Sequence, residues 1–161
     1  MGGVIDTGTP DARERLEAVL GVRRLVDEAV AGGPYDSVEA LAATVDAAAA
    51  RLTDAELDEA AGAHPRIGEA PAPGSLSASE QAGLGRAEEG LDAAIARGNA
   101  VYEGRFGRIF LLRVAGRSQQ DVLDELQRRL KNDQSEETEE AKQQLREIIG
   151  LRLRQVFGGG A

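Results

Sequence analysis

The chain lacks cysteine and tryptophan, and it has a single histidine, His64, among its 161 residues. Without cysteine it forms no disulfide, carries no thiolate nucleophile and offers no cysteine-type zinc site. One imidazole with scattered acidic residues does not give a recognisable metal-ligand spacing. We therefore expect a protein that works without a metal or an organic cofactor.

Long apolar runs and an excess of basic charge are also missing. No run of about 18 apolar residues is present to span a bilayer, and the opening MGGVIDTGTP lacks the features of a secretory signal. Acidic residues outnumber basic ones by 28 to 19, for a net charge of −9. This charge disfavours nucleic acid and anionic membranes as partners, and it means that an anionic substrate needs a local basic group. We expect a cytoplasmic protein.

Aromatic residues make up only 3% of the chain, whereas 42% of it is hydrophobic, so the core must be mainly aliphatic. Abundant Ala, Leu, Glu and Arg with few β-branched residues favour helices. We predict an all-α fold, a single-domain multi-helix bundle over residues 10–157, with flexible tails at 1–9 and 158–161.

Capping signals divide the bundle into candidate helices. We expect helix starts at Pro10–Asp11, Ser37, Thr53, Ser77, Ser118 and near Ser135. Gly21 is a possible break in the first helix, and the helix from Ser77 is expected to continue as far as Tyr102. The apolar run FGRIFLLRVAG (106–116) fits either buried extended chain or buried helix. Residues 62–76 are rich in Gly and Pro, which is typical of an ordered functional loop or a linker.

His64 lies at the mouth of that loop, directly before Pro65. One interpretation is a histidine that ends a helix and stacks on the surface. The other follows from the proline, which disfavours the α conformation of the preceding residue. The chain then leaves the helix at His64 and points the imidazole into the space that the loop encloses, where it can donate or accept a proton.

The stretch SLSASEQAGL (75–84) also has two interpretations. Ser77 and Glu80 form a capping box, which by itself is a structural feature. Gln81 adds an amide beside them, and helix N-termini suit anionic ligands. A hydroxyl, a carboxylate and an amide are then expected at one helix end that faces the His64 loop.

The last helix places a charge inside its apolar stripe. At 100° per residue, Arg152 falls at the centre of the stripe formed by Ala141, Leu145, Ile148 and Val156, whereas Arg154 falls on the polar side. A buried charge is costly without an anionic partner. Arg152 is therefore either one half of an internal ion pair or a guanidinium that holds a substrate carboxylate.

Six motifs occur in an order that resembles a known family. They are HPRIGE, S-x-x-E-Q-x-G-L, N-x-x-Y-x-x-R-F-G-x-x-F-L, A-G-R-S, R-L-x-N and I-x-x-L-R-L. Together they resemble 2-oxo-4-hydroxy-4-carboxy-5-ureidoimidazoline (OHCU) decarboxylases of urate degradation, in particular a bacterial member, over about residues 10–157.

The resemblance implies an all-α fold and a cofactor-free decarboxylation that yields (S)-allantoin and CO2. It implies a catalytic role for His64 and substrate binding by Pro65, Ser77, Glu80, Gln81 and Arg152, with no metal. The implied partner is a small anionic ureido substrate, and members of the family are often homodimers. Two alternatives remain open: a non-catalytic helical interaction module with the same fold, and a lyase or hydrolase that acts on a related ureido acid.

Overall fold

The structure is a computed structural model that describes residues 3–68, 76 and 90–158. In these residues the chain forms seven helices and no β-strand, which confirms the predicted all-α fold. The helices are α1 (Pro10–Leu20), α2 (Arg23–Ala31), α3 (Val38–Ala49), α4 (Asp54–Gly62), α5 (Leu91–Phe106), α6 (Gln119–Arg129) and α7 (Gln134–Phe157).

The chain divides into two compact units. The first unit comprises residues 1–60 and 146–161, and the second comprises residues 61–145. The extent predicted for the helical domain, residues 10–157, remains a prediction.

The first unit has an aliphatic core, as its composition predicts. Gly21 separates α1 from α2 because its positive φ of 65° ends α1, and its N–H donates to the carbonyl of Glu17. Ser37 caps α3 by accepting a hydrogen bond from the N–H of Ala40. The fully buried side chains of this core include six leucines: Leu16, Leu20, Leu25, Leu41, Leu57 and Leu153.

The predicted capping box at the start of α4 is confirmed. Thr53 Oγ1 accepts from the N–H of Glu56 at 3.1 Å, and the Glu56 carboxylate accepts from the N–H of Thr53 at 3.0 Å. The same carboxylate also accepts two hydrogen bonds from the Arg24 guanidinium, at 2.6 and 3.0 Å. Arg24 is the main reason that the pKa of Glu56 is lowered. One carboxylate thus caps α4 and ties it to α2.

The residues before α1 have defined partners. Ile5 forms a backbone bridge with Tyr35, and the hydroxyl of buried Thr7 donates to the carbonyl of Val30 at 3.2 Å. Thr9 caps α1 by accepting from the N–H of Ala12. The flexibility that we predict for residues 1–9 and 158–161 remains a prediction.

The second unit is built around α5 and α6. A buried cluster joins them to the chain that precedes and follows α5: Ile67, Ile95, Tyr102, Phe106, Phe110, Leu112, Val114, Val122 and Leu126. Gly98 allows the two helices to approach closely, because a methyl group at this position would lie 2.4 Å from a methyl carbon of Leu126.

Two predictions about this unit are resolved. The expected continuous helix from Ser77 to Tyr102 is wrong at Gly90, which has a left-handed backbone (φ 89°) and stands immediately before α5. The ambiguous run after α5 is not helical: Gly107, with φ 79°, ends α5, and residues 109–114 follow as irregular, largely buried chain. Four of its apolar side chains are buried: Phe110, Leu111, Leu112 and Val114.

A fully buried ion pair holds this irregular segment against the helices. The Arg129 guanidinium donates to the Glu137 carboxylate at 2.5–3.0 Å and to the backbone carbonyl of Leu111 at 2.7 Å. It also stacks over the Phe110 ring, 4.6 Å from the centroid. The carboxylate accepts two further hydrogen bonds, from the Tyr102 hydroxyl and from Asn132. Burial, and then the bond to Glu137, raise the pKa of Tyr102.

We predict that Arg129→Met lowers the free energy of unfolding by about 3–5 kcal/mol, because it leaves Glu137 as an uncompensated buried charge. Arg128→Met is the matched control, since Arg128 is half-exposed in its ion pairs with Glu125 and Glu140 and exposed pairs contribute at most about 1 kcal/mol each. Urea unfolding measures both variants. An Arg129→Met variant no less stable than Arg128→Met would contradict the prediction.

Candidate active site

The loop that carries His64 begins where α4 ends. The helix stops at Gly62, and the backbone N–H of His64 donates to the carbonyl of Ala61 at 3.2 Å. His64 and Pro65 lie outside the helix and are half-buried. The prediction that the chain leaves the helix at His64 is therefore confirmed, as expected for a residue that precedes proline.

Three contacts fix the next residues of this loop to α5. The Arg66 guanidinium forms a two-pronged ion pair with Glu103 at 2.7 and 2.8 Å. The amide of Asn99 donates from Nδ2 to the backbone carbonyl of Ile67 at 2.9 Å. The Ile67 side chain is buried in the core cluster of the second unit. Gly68 follows with φ 94°, a conformation that favours glycine.

A cleft of about 410 Å³ lies between this loop and α5, a volume in the range of small-molecule sites. The charged side chains among its described lining residues are Arg66, Asp92 and Glu103. Arg66 is engaged by Glu103, whose pKa it lowers. These lining residues therefore carry more negative than positive charge, so binding an anion requires a further cation from elsewhere in the chain.

Three of the predicted substrate-binding residues, Ser77, Glu80 and Gln81, lie outside the described residues. So do seven of the fifteen residues of the Gly- and Pro-rich loop at 62–76, from residue 69 to residue 75. The capping box predicted for Ser77 and Glu80, and the role of the loop, therefore remain predictions.

The two late arginines of α7 lie as the helical period predicts. Arg152 is buried, with 5% of its surface exposed, on the same helix as buried Leu145 and Ile148. Arg154 is exposed and forms a two-pronged pair with Glu39 at 3.1 and 3.0 Å. This confirms the orientation of both side chains. The role of Arg152 in substrate binding remains a prediction.

The sequence analysis includes Asn99 and Arg129 as the first residues of two family motifs, but it assigns neither a role and does not predict the Arg129–Glu137 pair. For Asn99 a signal was present: it follows Ile95 by four residues and precedes Tyr102 by three, so it is a polar residue on the buried stripe of α5. It is 5% exposed. The pairing of Arg129 with Glu137 joins two helices, and the helical period of either one does not indicate it.

The described part of the chain contains no group of three or more His, Cys, Asp or Glu side chains placed to hold a metal ion. Across the same residues, no helix combines the length and the apolar character that crossing a membrane requires.

The Arg66–Glu103 pair makes the stability of the loop depend on pH. Because the folded state lowers the pKa of Glu103 below its ordinary 4.5, the stabilisation is fully present above that value and is lost as the pH falls through the lower folded pKa. We expect the stability gap between the parent protein and Glu103→Gln to narrow between about pH 7 and about pH 3.5 in urea unfolding. A gap that stays constant would contradict this.

Comparison with known proteins gives relatives in urate degradation. Over 136 residues, 80% of this chain, it is 29% identical to the uric acid degradation bifunctional protein TTL of Arabidopsis thaliana, and it spans 42% of the length of that protein. A crystal structure of OHCU decarboxylase in the presence of (S)-allantoin superposes with a TM-score of 0.80 at 22% identity, covering 91% of this chain and 98% of the other. A crystal structure of (S)-allantoin synthase superposes with a TM-score of 0.66 at 18% identity, and the match covers 90% of this chain and 49% of the other.

The structural matches show the shared all-α fold. The family model described as OHCU decarboxylase matches residues 7–154, which include His64, Pro65 and Arg152 as well as the undescribed Ser77, Glu80 and Gln81. With nearly the whole sequence matched, the chain belongs to the OHCU decarboxylase family.

Proposed function

We propose that this protein decarboxylates OHCU to (S)-allantoin and CO2 in urate degradation, without a cofactor. The observation that carries the proposal is the family match over residues 7–154. The structure supports it with a half-buried imidazole on a loop that is tied to α5, and with a buried guanidinium on α7.

The chemistry requires little beyond binding and one proton. The substrate carboxylate is attached to an electron-poor ring carbon. When the bond between that carbon and the carboxylate breaks, CO2 leaves and the ring accepts the electron pair. The enol that results becomes (S)-allantoin when the hydroxyl-bearing carbon turns into a carbonyl and a proton is delivered to one face of the neighbouring, ureido-bearing carbon. The protein must therefore bind an anion, orient its carboxylate for departure and supply the proton from a fixed direction.

His64 is the proposed proton-handling group. An imidazole exchanges protons near neutral pH, and this is the one histidine of the chain. Its backbone is held at Ala61, and the loop is held again at Ile67 by Asn99. Pro65 is proposed to contact the substrate beside it, in accordance with the family motif.

Arg152 is the proposed guanidinium for the anionic substrate. The chain carries a net charge of −9, so a local cation is needed to hold an anion. A guanidinium binds a carboxylate through two parallel hydrogen bonds. Ser77, Glu80 and Gln81 are proposed to hold the ureido group, which offers N–H donors and a carbonyl; the resemblance alone supports their roles.

The activity is tested on substrate generated in solution from urate by the two enzymes that precede this step. Decay of the substrate is followed by ultraviolet absorbance, and the optical activity of the allantoin is measured. We expect accelerated decay that yields a single enantiomer. Unchanged decay would favour a non-catalytic module with this fold, and turnover of a different ureido acid would favour a related lyase.

Sedimentation of the same sample tests the homodimer that the resemblance implies. The cytoplasmic location remains a prediction.

We predict that His64→Asn folds normally and loses activity by about 10²–10⁴-fold, the range expected when a positioned acid or base is removed. Asparagine preserves polarity and approximate size at a position outside the helices, so the melting temperature should change little. Turnover is measured in the coupled assay. A variant within a few-fold of the parent protein would exclude His64 as the proton-handling group.

Arg152 and Arg154 provide a matched pair on one helix. We expect Arg152→Lys to impair turnover, because lysine keeps the charge but loses the planar fork that binds a carboxylate. Arg154→Ala should retain full turnover and change the stability by no more than about 0.5 kcal/mol, as is usual at exposed sites. Steady-state kinetics measure both. An inactive Arg154→Ala beside a normal Arg152→Lys would reassign the binding role to Arg154.

A further inference from the structure

We infer that Asn99 is a positioning residue for His64: its side-chain amide fixes the loop that sets where the imidazole lies. This inference rests on the proposed function and adds to it a residue that touches neither the imidazole nor the reacting carbon. It starts from the polar side chain of Asn99 on the apolar face of α5. Burying a polar group there costs free energy unless the group is hydrogen-bonded.

The contact itself is specific. Asn99 is 5% exposed, and its Nδ2 donates to the carbonyl of Ile67 at 2.9 Å. Residues 65–67 belong to no helix, so this carbonyl has no partner in a regular helix ladder. Leaving a buried carbonyl without a donor destabilises a protein by more than a typical hydrogen bond stabilises it. The amide of Asn99 therefore specifies one path for the backbone at Ile67.

The loop is short enough to transmit this constraint to His64. At one end the N–H of His64 is bonded to the carbonyl of Ala61, and at the other end Asn99 holds Ile67, three residues later. The residue between His64 and Arg66 is Pro65, whose ring fixes φ. With both ends held and one torsion locked, few backbone torsions remain that would let His64 move.

The second tether of the loop differs in burial. Arg66 and Glu103 form a well-aligned pair, but their side chains are 47% and 24% exposed, and solvent-exposed pairs contribute little. Asn99 acts inside the protein, where a hydrogen bond is stronger and its loss is not compensated by water. We therefore assign the positioning role to Asn99 rather than to the ion pair.

Displacement of a catalytic group by about 1 Å can cost on the order of 10²-fold in rate. We expect Asn99→Ala to lower kcat at least about tenfold and to change KM by a smaller factor, because Pro65 is the one proposed substrate-binding residue on this loop. Ile67→Val is the matched control: it removes one methyl group from the same loop and weakens core packing, yet it keeps the carbonyl and its hydrogen bond to Asn99.

Asn99→Asp adds a pH readout that a purely structural role would not produce. An ionised carboxylate faces the Ile67 carbonyl without a donor, whereas a protonated carboxyl group donates to it. We expect kcat of Asn99→Asp, relative to the parent protein, to recover as the pH is lowered from about 8 to about 5. Substrate is generated near neutral pH and mixed into each buffer before measurement.

A spectroscopic test does not depend on turnover. Untagged protein contains one imidazole, so proton NMR gives a single histidine Hε1 signal, which belongs to His64. We expect Asn99→Ala to shift or broaden this signal and Ile67→Val to leave it unchanged.

An unchanged signal, with unchanged kcat in both Asn99 variants, overturns the inference. So does a loss of kcat in Ile67→Val equal to that in Asn99→Ala. If the parent protein does not accelerate substrate decay, the proposed function fails instead, and the NMR signal alone then shows whether Asn99 positions His64.

Discussion

The second unit depends on one buried ion pair. Arg129 and Glu137 have essentially no exposed side-chain surface, and removing such charges from water is repaid only when their remaining hydrogen-bonding groups are satisfied. The surroundings meet that condition. The Glu137 carboxylate accepts hydrogen bonds from the side chains of Tyr102 and Asn132, and the Arg129 guanidinium also donates to the backbone carbonyl of Leu111. Each of these hydrogen bonds involves a different segment. The ion pair therefore holds together α5, α6, the start of α7 and the irregular segment between α5 and α6.

The same constraint extends to the loop that carries His64. Tyr102 binds the ion pair from α5, and its ring packs against Phe106 and Phe110. Three residues before it, on the same buried stripe, Asn99 holds the carbonyl of Ile67. The helix that completes the ion-pair network therefore also supports the loop. A rigid element that carries both contacts is what placing a catalytic side chain requires.

The arginines of the chain serve distinct purposes according to their burial. Arg146 forms a two-pronged ion pair with Asp46 at the surface, and Arg154 forms one with Glu39. Surface ion pairs of this kind are only weakly stabilising. Arg129 is buried and holds backbone and side chains together. Arg152 is also buried, and it is the arginine that we assign to the substrate. In a protein with a net charge of −9, an anionic substrate needs a local basic group, and this is the reason for that proposal.

Local sequence determined the elements whose causes are themselves local. Gly21 ends α1, the Thr53–Glu56 box starts α4, and Pro65 takes His64 out of the helix, because backbone conformation and capping depend on a few neighbouring residues. The burial of Arg152 and the exposure of Arg154 follow from the 3.6-residue period alone.

Only the tertiary structure showed that residues 109–114 form irregular buried chain, that Arg129 pairs with Glu137, and that the amide of Asn99 donates to the carbonyl of Ile67. Those contacts join residues on separate elements, and periodicity within one element states which face is buried but not what lies against it.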